Sequence, residues 1–505
     1  MANSIMNAAA GMLLLVTGFV CSIITARLLG PEANGIIAFS LWFATTGALV
    51  AELGTGVMLL RMLPQLKAQG YDATRRRGFA AFLVTPTIVS TLVLAGLYAA
   101  IFIKSEEMHW AATAPSVALV TGLLFVIQSI GAFAKNYLIG EQRLGEFFRL
   151  TMMASILQLV VVLAGAVYFG VEGALVGYAA SQAVLFAFTM TIVFSKRDKC
   201  DLPVRVLVGS SAILSLEFII DSIFLNRIEL LFLQQFWSVE LVGYYAVGLS
   251  VANLALQLPI QLTGSLLPFY SERRHGAGDG KLPLGVFAGV IRALAYITLP
   301  MGLGLAAISG PLVNLVFGAA FAPSAPIISM LAIAAPPFVL IQILTQYLYS
   351  IDKTRERLLI GIAGAIVIVV LCLALVPAYG GVGAAVARIL AFVAMCGLMI
   401  WITGFGRALN ELYLTLSKVL LASLVCAAAA HGVLAYVSSG LLGLVAALAA
   451  GAGFYALSLH VLRVLPAEDG DVLARMAGRL PLRLNRPARA LIAFLAPAHV
   501  EAGAQ

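Results

Sequence analysis

Charge is what this sequence has least of. Asp, Glu, Lys and Arg make up 11% of its 505 residues, where a soluble protein carries about 25%. That deficit excludes an ordinary soluble domain. The five cysteines, Cys21, Cys200, Cys372, Cys396 and Cys426, are scattered, and so are the five histidines. Neither set has the spacing of a disulfide framework or a metal site, so no metal is expected. The start, MANSIMN, has no basic region of the kind that opens a cleaved signal peptide. Gly276 to Leu282 (GAGDGKL) lacks the first glycine spacing and the Ser/Thr after Lys of a phosphate loop. No nucleophile elbow or paired metal carboxylates occur, and no loop on the outer side is long enough to fold as a domain. The sequence therefore gives no reason to propose an enzyme, and no cofactor beyond a proton or sodium gradient.

What is present is hydrophobic residue in long runs, 62% of the chain. Only helices and closed barrels can span lipid, and the runs are too long and too uniform for barrel strands of about 10 alternating residues. The expected fold is an all-α polytopic membrane protein with about 14 transmembrane helices. Among them are spans 1 (4–27), 7 (207–233), 8 (242–268), 9 (286–309) and 12 (382–403), then 13 and 14 (419–437 and 440–462). Short linkers built on Gly30-Pro31, Gly170 and Gly380 turn adjacent spans back on each other. Of the 31 Lys and Arg, 26 fall on one side and two, Arg27 and Lys104, on the other. Three lie within spans: Arg227, Arg292 and Arg388. The excess marks the cytoplasmic side, which places both termini inside. It also accounts for the net charge of +8 by inner-leaflet contact, with no call on nucleic acid.

The chain repeats at an offset of 208 to 210. Glu32 to Gly35 matches Glu240 to Gly243, Tyr137-Leu138 matches Tyr347-Leu348, and Glu146 matches Glu356. Gly170 and Gly173 match Gly380 and Gly383. Six spans per copy is even, so both copies insert the same way round, and substrate is expected between them. The expected organisation is a six-helix lobe over 1–206 and a second over 207–403. Two extra helices follow over 404–462, then a basic cytoplasmic tail over 463–505. In that tail 471–480 and 487–495 read as short amphipathic helices or as an unstructured segment.

Span 7 holds Glu217, Asp221, Arg227 and Glu229, although a charge at mid-membrane costs about 2.5–3.5 kcal/mol on insertion scales. Glu217 and Asp221 are four residues apart and share a helix face. Two carboxyls one turn apart in an apolar span resist carrying charge together, so the pair is a candidate ion-coupling site. A proton and Na⁺ are rival ions, and plain interhelical hydrogen bonding is the alternative. Asn253, Gln257 and Gln261 form one polar stripe on span 8, suited to a wet cavity or to helix–helix hydrogen bonds.

ARLLGPEANGIIAFS, AELGTGVMLLRMLP and FLNRIELLFLQQFWSVELVGYYAVG resemble the polysaccharide transporter family. These are the Wzx-type lipid-linked oligosaccharide flippases of the multidrug/oligosaccharidyl-lipid/polysaccharide superfamily. The family often has Asp where this chain has Glu229. The resemblance implies a bacterial inner-membrane protein. It would flip an undecaprenyl-diphosphate oligosaccharide to the outer leaflet by alternating access, for exopolysaccharide or O-antigen synthesis, with glycan-synthesis enzymes as potential partners. The guanidinium fork suits a diphosphate, so Arg292, Arg388 and Arg27 are the candidate ligands. Arg292 could instead snorkel to the interface, and Arg388 could pair with Glu229. Two rival cargoes, the peptidoglycan lipid precursor and amphipathic drugs, belong to the same superfamily. A scaffold that transports nothing is the rival of another class, and it has no use for intramembrane charge.

Overall fold

The computed structural model describes residues 2–104, 115–200, 213–263, 284–437 and 440–466, with 266, 269–270, 469–470, 492 and 494–495. The two tail helices expected at 471–480 and 487–495, and the Gly276–Leu282 loop, lie almost wholly outside these residues. The described residues are helical almost throughout, and no strand occurs among them. The helices are α1 (Ala2–Glu52), α2 (Thr55–Ala68), α3 (Ala73–Lys104), α4 (Pro115–Gly140) and α5 (Leu144–Val193). Next come α6 (213–220), α7 (Glu229–Phe236) and α8 (Val239–Thr263). Then follow α9 (Leu284–Val316), α10 (Ser324–Ile333), α11 (Ala335–Ser350), α12 (Thr354–Thr403), α13 (Gly406–Tyr436) and α14 (Leu441–Val461). Among the described residues ten helical segments are long and apolar enough to cross a membrane.

Three of those ten are hairpins of two helices. α1, α5 and α12 each contain one glycine with φ far outside the helical range: Gly30 (φ 83°), Gly170 (φ 62°) and Gly380 (φ 55°). With ψ near −130° to 180°, these are conformations that only glycine adopts without strain. Pro31 follows Gly30 at the first position of the next helix, where its missing N–H leaves no bond unmade. These are the turns expected from the linkers.

The repeat is visible in the backbone. α5 and α12 are both 50 residues long and start 210 residues apart. Each is preceded by a left-handed residue, Gln142 (φ 60°) and Asp352 (φ 58°). Each bends at the same place with nearly the same angles, ψ −133° at Gly170 and −131° at Gly380. The matched glycines Gly35 and Gly243 meet directly. A methyl group on Gly35 would land on the Val239 carbonyl, and one on Gly243 would land on the Pro31 carbonyl. Asn34 Nδ2 donates to the Gly243 carbonyl at 3.3 Å across the same crossing. Only glycine lets the two backbones approach this closely.

Span 7 departs from the expected continuous helix. α6 runs into a π-helical turn, Asp221–Leu225, and α7 starts only at Glu229. Widened turns of this kind loosen the regular hydrogen-bond ladder and often sit at functional sites. The second half of α1 ends at Glu52, where Leu53 and Gly54 both take positive φ.

The chain forms two compact units: 1–254 with 354–391, and 255–353 with 392–505. In the first, the core of the α2–α3–α4 layer is built on fully buried Leu59, Leu63, Phe79 and Phe133. In the second, Phe287 stacks on Phe405 at 3.8 Å, and Tyr347 closes on both rings. Leucine, valine and phenylalanine are widely exposed along the long helices, as expected where lipid is the solvent.

Candidate substrate cavity and its charged neighbours

Three of the four charges of span 7 are partnered by the two halves of α12. Arg388 lies eight residues beyond the Gly380 bend. Its Nε donates to Glu229 Oε1 at 2.6 Å and its Nη2 to Glu229 Oε2 at 2.8 Å, a parallel fork. Nη2 also donates to the Asn226 carbonyl. Asn226 stands between the π-turn and α7, where the helix is interrupted. Glu229 is fully buried and Arg388 nearly so. The fork that a diphosphate would need is thus given to Glu229, the alternative that the sequence left open.

At the start of α12, Arg357 reaches both carboxylates of the expected coupling pair. Its Nη2 lies 2.5 Å from Asp221 Oδ2 and its Nε 3.5 Å from Glu217 Oε1. Glu217 and Asp221 share a face as the spacing required, and the π-turn opens at Asp221. Arg357 and Glu217 are each 3% exposed, Asp221 32%. From sequence Arg357 reads as a loop charge beside Lys353 and Arg355. The structure corrects this: α12 starts at Thr354, and Arg357 heads its buried stripe of Ile360, Ile368 and Cys372. Two carboxylates and one guanidinium leave a formal charge of −1 when all are ionised.

Arg227 is different. It makes no hydrogen bond or ion pair among the described residues. Glu229 and Arg388 act on it with opposite sign, so their pair leaves its charge uncompensated. It lines a cavity of about 300 Å³ with both halves of α1, α5 and α8. The polar lining is Ser22, Thr25, Asn34, Tyr178, Ser250 and Asn253; the rest is aliphatic, with Phe19. Arg227 is legible in the sequence as the one cation of span 7, with no carboxylate three or four residues away. Its neighbours at that spacing are Ile223, Phe224, Leu230 and Leu231.

The remaining candidates are dispersed. Asn253 lines the cavity; Gln257 and Gln261 continue its stripe along α8 but are not part of the lining. Arg27 is exposed near the Gly30 bend and is also outside the lining. Arg292, on α9, forks onto Asp469: Nε to Oδ2 at 2.9 Å and Nη2 to Oδ1 at 2.7 Å. No cluster of three or more metal-ligating side chains occurs among the described residues.

Outside the spans, Asp198 ties the loop after α5 to the start of α3. It accepts from Arg75 Nε at 2.8 Å and from the Cys200 amide at 2.8 Å. The Arg75 hydrogen bond first, and the amide second, hold its carboxyl below the usual carboxylate range.

No curated protein matches this sequence. Solved structures similar to it are transporters. The lipid II flippase MurJ in an inward closed conformation aligns with a TM-score of 0.71 and 12% identity. The match covers 90% of this chain and 97% of that one. A multidrug resistance MATE family transporter of the MOP superfamily, inward-facing, aligns with a TM-score of 0.58 and 15% identity, over 79% and 96%. A MOP superfamily transporter from Pyrococcus furiosus gives 0.53 and 16%, over 79% and 93%. At these identities the likeness shows the fold, a MurJ- and MATE-like membrane transporter fold. The family comes from the sequence: the polysaccharide biosynthesis protein family matches residues 24–326. The chain belongs to that family, the Wzx-like polysaccharide biosynthesis flippases.

Proposed function

We propose that this protein flips an undecaprenyl-diphosphate-linked oligosaccharide from the inner to the outer leaflet by alternating access. It would serve exopolysaccharide or O-antigen synthesis in a bacterial inner membrane, with both termini cytoplasmic. The observation that carries this reading is the intramembrane cavity with Arg227 in its wall. A guanidinium with no ion pair among the described residues, in a partly apolar wall that also carries hydroxyls and amides, suits an anion joined to sugar. A unit negative charge at about 4 Å from it gains roughly 4 kcal/mol at an effective dielectric of about 20. The same charge repels cationic drugs, which argues against multidrug export. The volume lies at the low end for small-molecule sites, so it holds a head-group fragment at a time. Glycan-synthesis enzymes that deliver the substrate are the natural partners. Flipping of a defined lipid-linked oligosaccharide in vesicles tests the reading: Arg227→Met should abolish it, Arg227→Lys should keep part of it. Full transport by folded Arg227→Met, or flipping of the peptidoglycan precursor alone, refutes it.

Coupling is proposed at Glu217, Asp221 and Arg357. Arg357 compensates one carboxylate, and one proton or one Na⁺ neutralises the other. Asp221, the more exposed of the two and seated on the π-turn, is the member that exchanges. One charge moved down 100 mV supplies about 2.3 kcal/mol. Asp221→Asn should transport with no dependence on the gradient; preserved dependence on whichever gradient, proton or sodium, drives the unsubstituted protein refutes the assignment.

A further inference from the structure

Arg292 sits eight residues inside α9, about 12 Å along a helix at 1.5 Å per residue. Its partner Asp469 comes from beyond the last helix. Three bonds hold the contact: the two of the Arg292 fork, and Tyr296 Oη to Asp469 Oδ2 at 3.0 Å. Tyr455 of α14 donates to the Tyr296 carbonyl at 2.8 Å. Val464 and Leu465 pack beneath, with Leu299, Val419, Ala422 and Leu459. Residues 464–465 and 469 are therefore folded back on α9. The ion pair is not sealed: Arg292 and Asp469 are 14% and 15% exposed, against 9% and 0% for Arg388 and Glu229. A carboxylate and a phosphate present the same pair of acceptor oxygens to a guanidinium fork. In sequence, Arg273, Arg274 and Lys281 precede α9 and Arg463 follows α14, a run of positive charge on either side of the helices that hold the fork.

We infer that Asp469 stands in for a lipid phosphate on Arg292, so that the segment after α14 latches α9 until a phosphate-bearing lipid displaces it. The inference rests on the flippase reading only for which lipid arrives. The phosphate can come from the transported diphosphate or from the bulk phospholipid of the leaflet. The latch regulates access to an anion subsite on α9, separate from the Arg227 cavity.

The test uses the full chain in nanodiscs, with undecaprenyl diphosphate as one probe and phosphatidylglycerol as the other. Asp469→Asn keeps the shape and removes the competing charge. It should bind undecaprenyl diphosphate about tenfold more tightly than the unsubstituted protein. The gain should vanish in the Arg292→Gln, Asp469→Asn double variant. In the unsubstituted protein the same lipid should raise hydrogen exchange over 459–470. A gain confined to the diphosphate assigns the subsite to substrate; an equal gain with phosphatidylglycerol assigns it to bulk lipid. Equal affinity of Asp469→Asn and the unsubstituted protein overturns the latch, as does a gain that survives loss of Arg292. If Asp469→Asn does not fold, unchanged exchange in the unsubstituted protein with both lipids overturns it. Competition without any flipping would sink the flippase reading and leave the latch. Flipping without competition would do the reverse.

Discussion

Removing Arg388 should do more harm than removing Arg388 and Glu229 together. Glu229 is fully buried, and its two oxygens take the whole fork, at 2.6 and 2.8 Å. Truncating one partner of such a pair leaves a buried charge uncompensated, at about 3–5 kcal/mol. Arg388→Met and Glu229→Leu are each expected to cost that much. Replacing both with packed apolar side chains leaves the Asn226 carbonyl without its Arg388 donor. One such unmet acceptor costs about 1–3 kcal/mol. The double variant is therefore expected to be more stable than either single one, where independent sites would give about 6–10 kcal/mol. Equilibrium unfolding in mixed micelles, run as a double-mutant cycle, measures the difference. Additive effects, or single variants within about 1 kcal/mol of the unsubstituted protein, refute the reasoning. Flipping by the folded double variant then separates two roles for Arg388. Retained flipping makes the pair a clamp between α7 and α12. Lost flipping in a stable double variant means that Arg388 also touches substrate.

Gly243→Val should lower thermal stability by several degrees or prevent folding, because even a Cβ there lands on the Pro31 carbonyl; stability equal to the unsubstituted protein would mean that the crossing yields. Introduced cysteines test orientation: one at Tyr168, exposed beside the Gly170 bend, should react with an impermeant thiol reagent on intact cells. One at Thr74 should not, and the reverse pattern inverts the topology. Asp198 predicts a small pH effect. Its folded carboxyl is held below the usual range by Arg75, so its stabilisation is complete above the unfolded value of about 3.9 and is lost as pH falls through the lower folded value. Asp198→Asn should lower stability slightly near neutrality, where the carboxylate contributes in full, and flatten the profile in that acid window; an identical acid profile counts against the contact.

Much of the fold is legible because lipid leaves the backbone few choices. Long apolar runs must be helices, and the glycines that interrupt them must be turns. Gly30, Gly170 and Gly380 could be read that way, and each proves to carry the positive φ that bends its hairpin. Partners are harder to read, since they come from remote parts of the chain. Nothing local in Lys353-Thr354-Arg355-Glu356-Arg357 tells which of the charges faces inward. The answer depends on where α12 starts, and one residue turns a helix by about 100°. Asp469 is harder still: its partner Arg292 is 177 positions away, and only tertiary folding joins them. The π-turn has no composition that marks it, because Asp221-Ser222-Ile223-Phe224-Leu225 would sit equally well in a regular helix.

The repeat shows where to look for what these charges do. Its two copies keep backbone geometry to within a few degrees at Gly170 and Gly380, so the shape of the bend is shared. They do not keep charge. At offsets of 208 to 210, the counterparts of Glu217, Asp221, Arg292 and Arg388 are Ala9, Leu13, Leu83 and Tyr178. A charge needed merely to hold the hairpins together would be expected in both copies, since both make the same bend and the same helix lengths. Neither set of ion pairs is therefore required by the architecture, and each carries a desolvation cost that apolar packing avoids. Tyr178 sharpens the point. It lines the Arg227 cavity, while its counterpart Arg388 is buried on Glu229. One repeat position has become cavity wall in the first copy and an internal clamp in the second. The proposed flipping and coupling would use such unequal halves: Ser22, Thr25, Asn34 and Tyr178 of the cavity wall come from the first copy, while the buried carboxylates Glu217 and Glu229 come from the second.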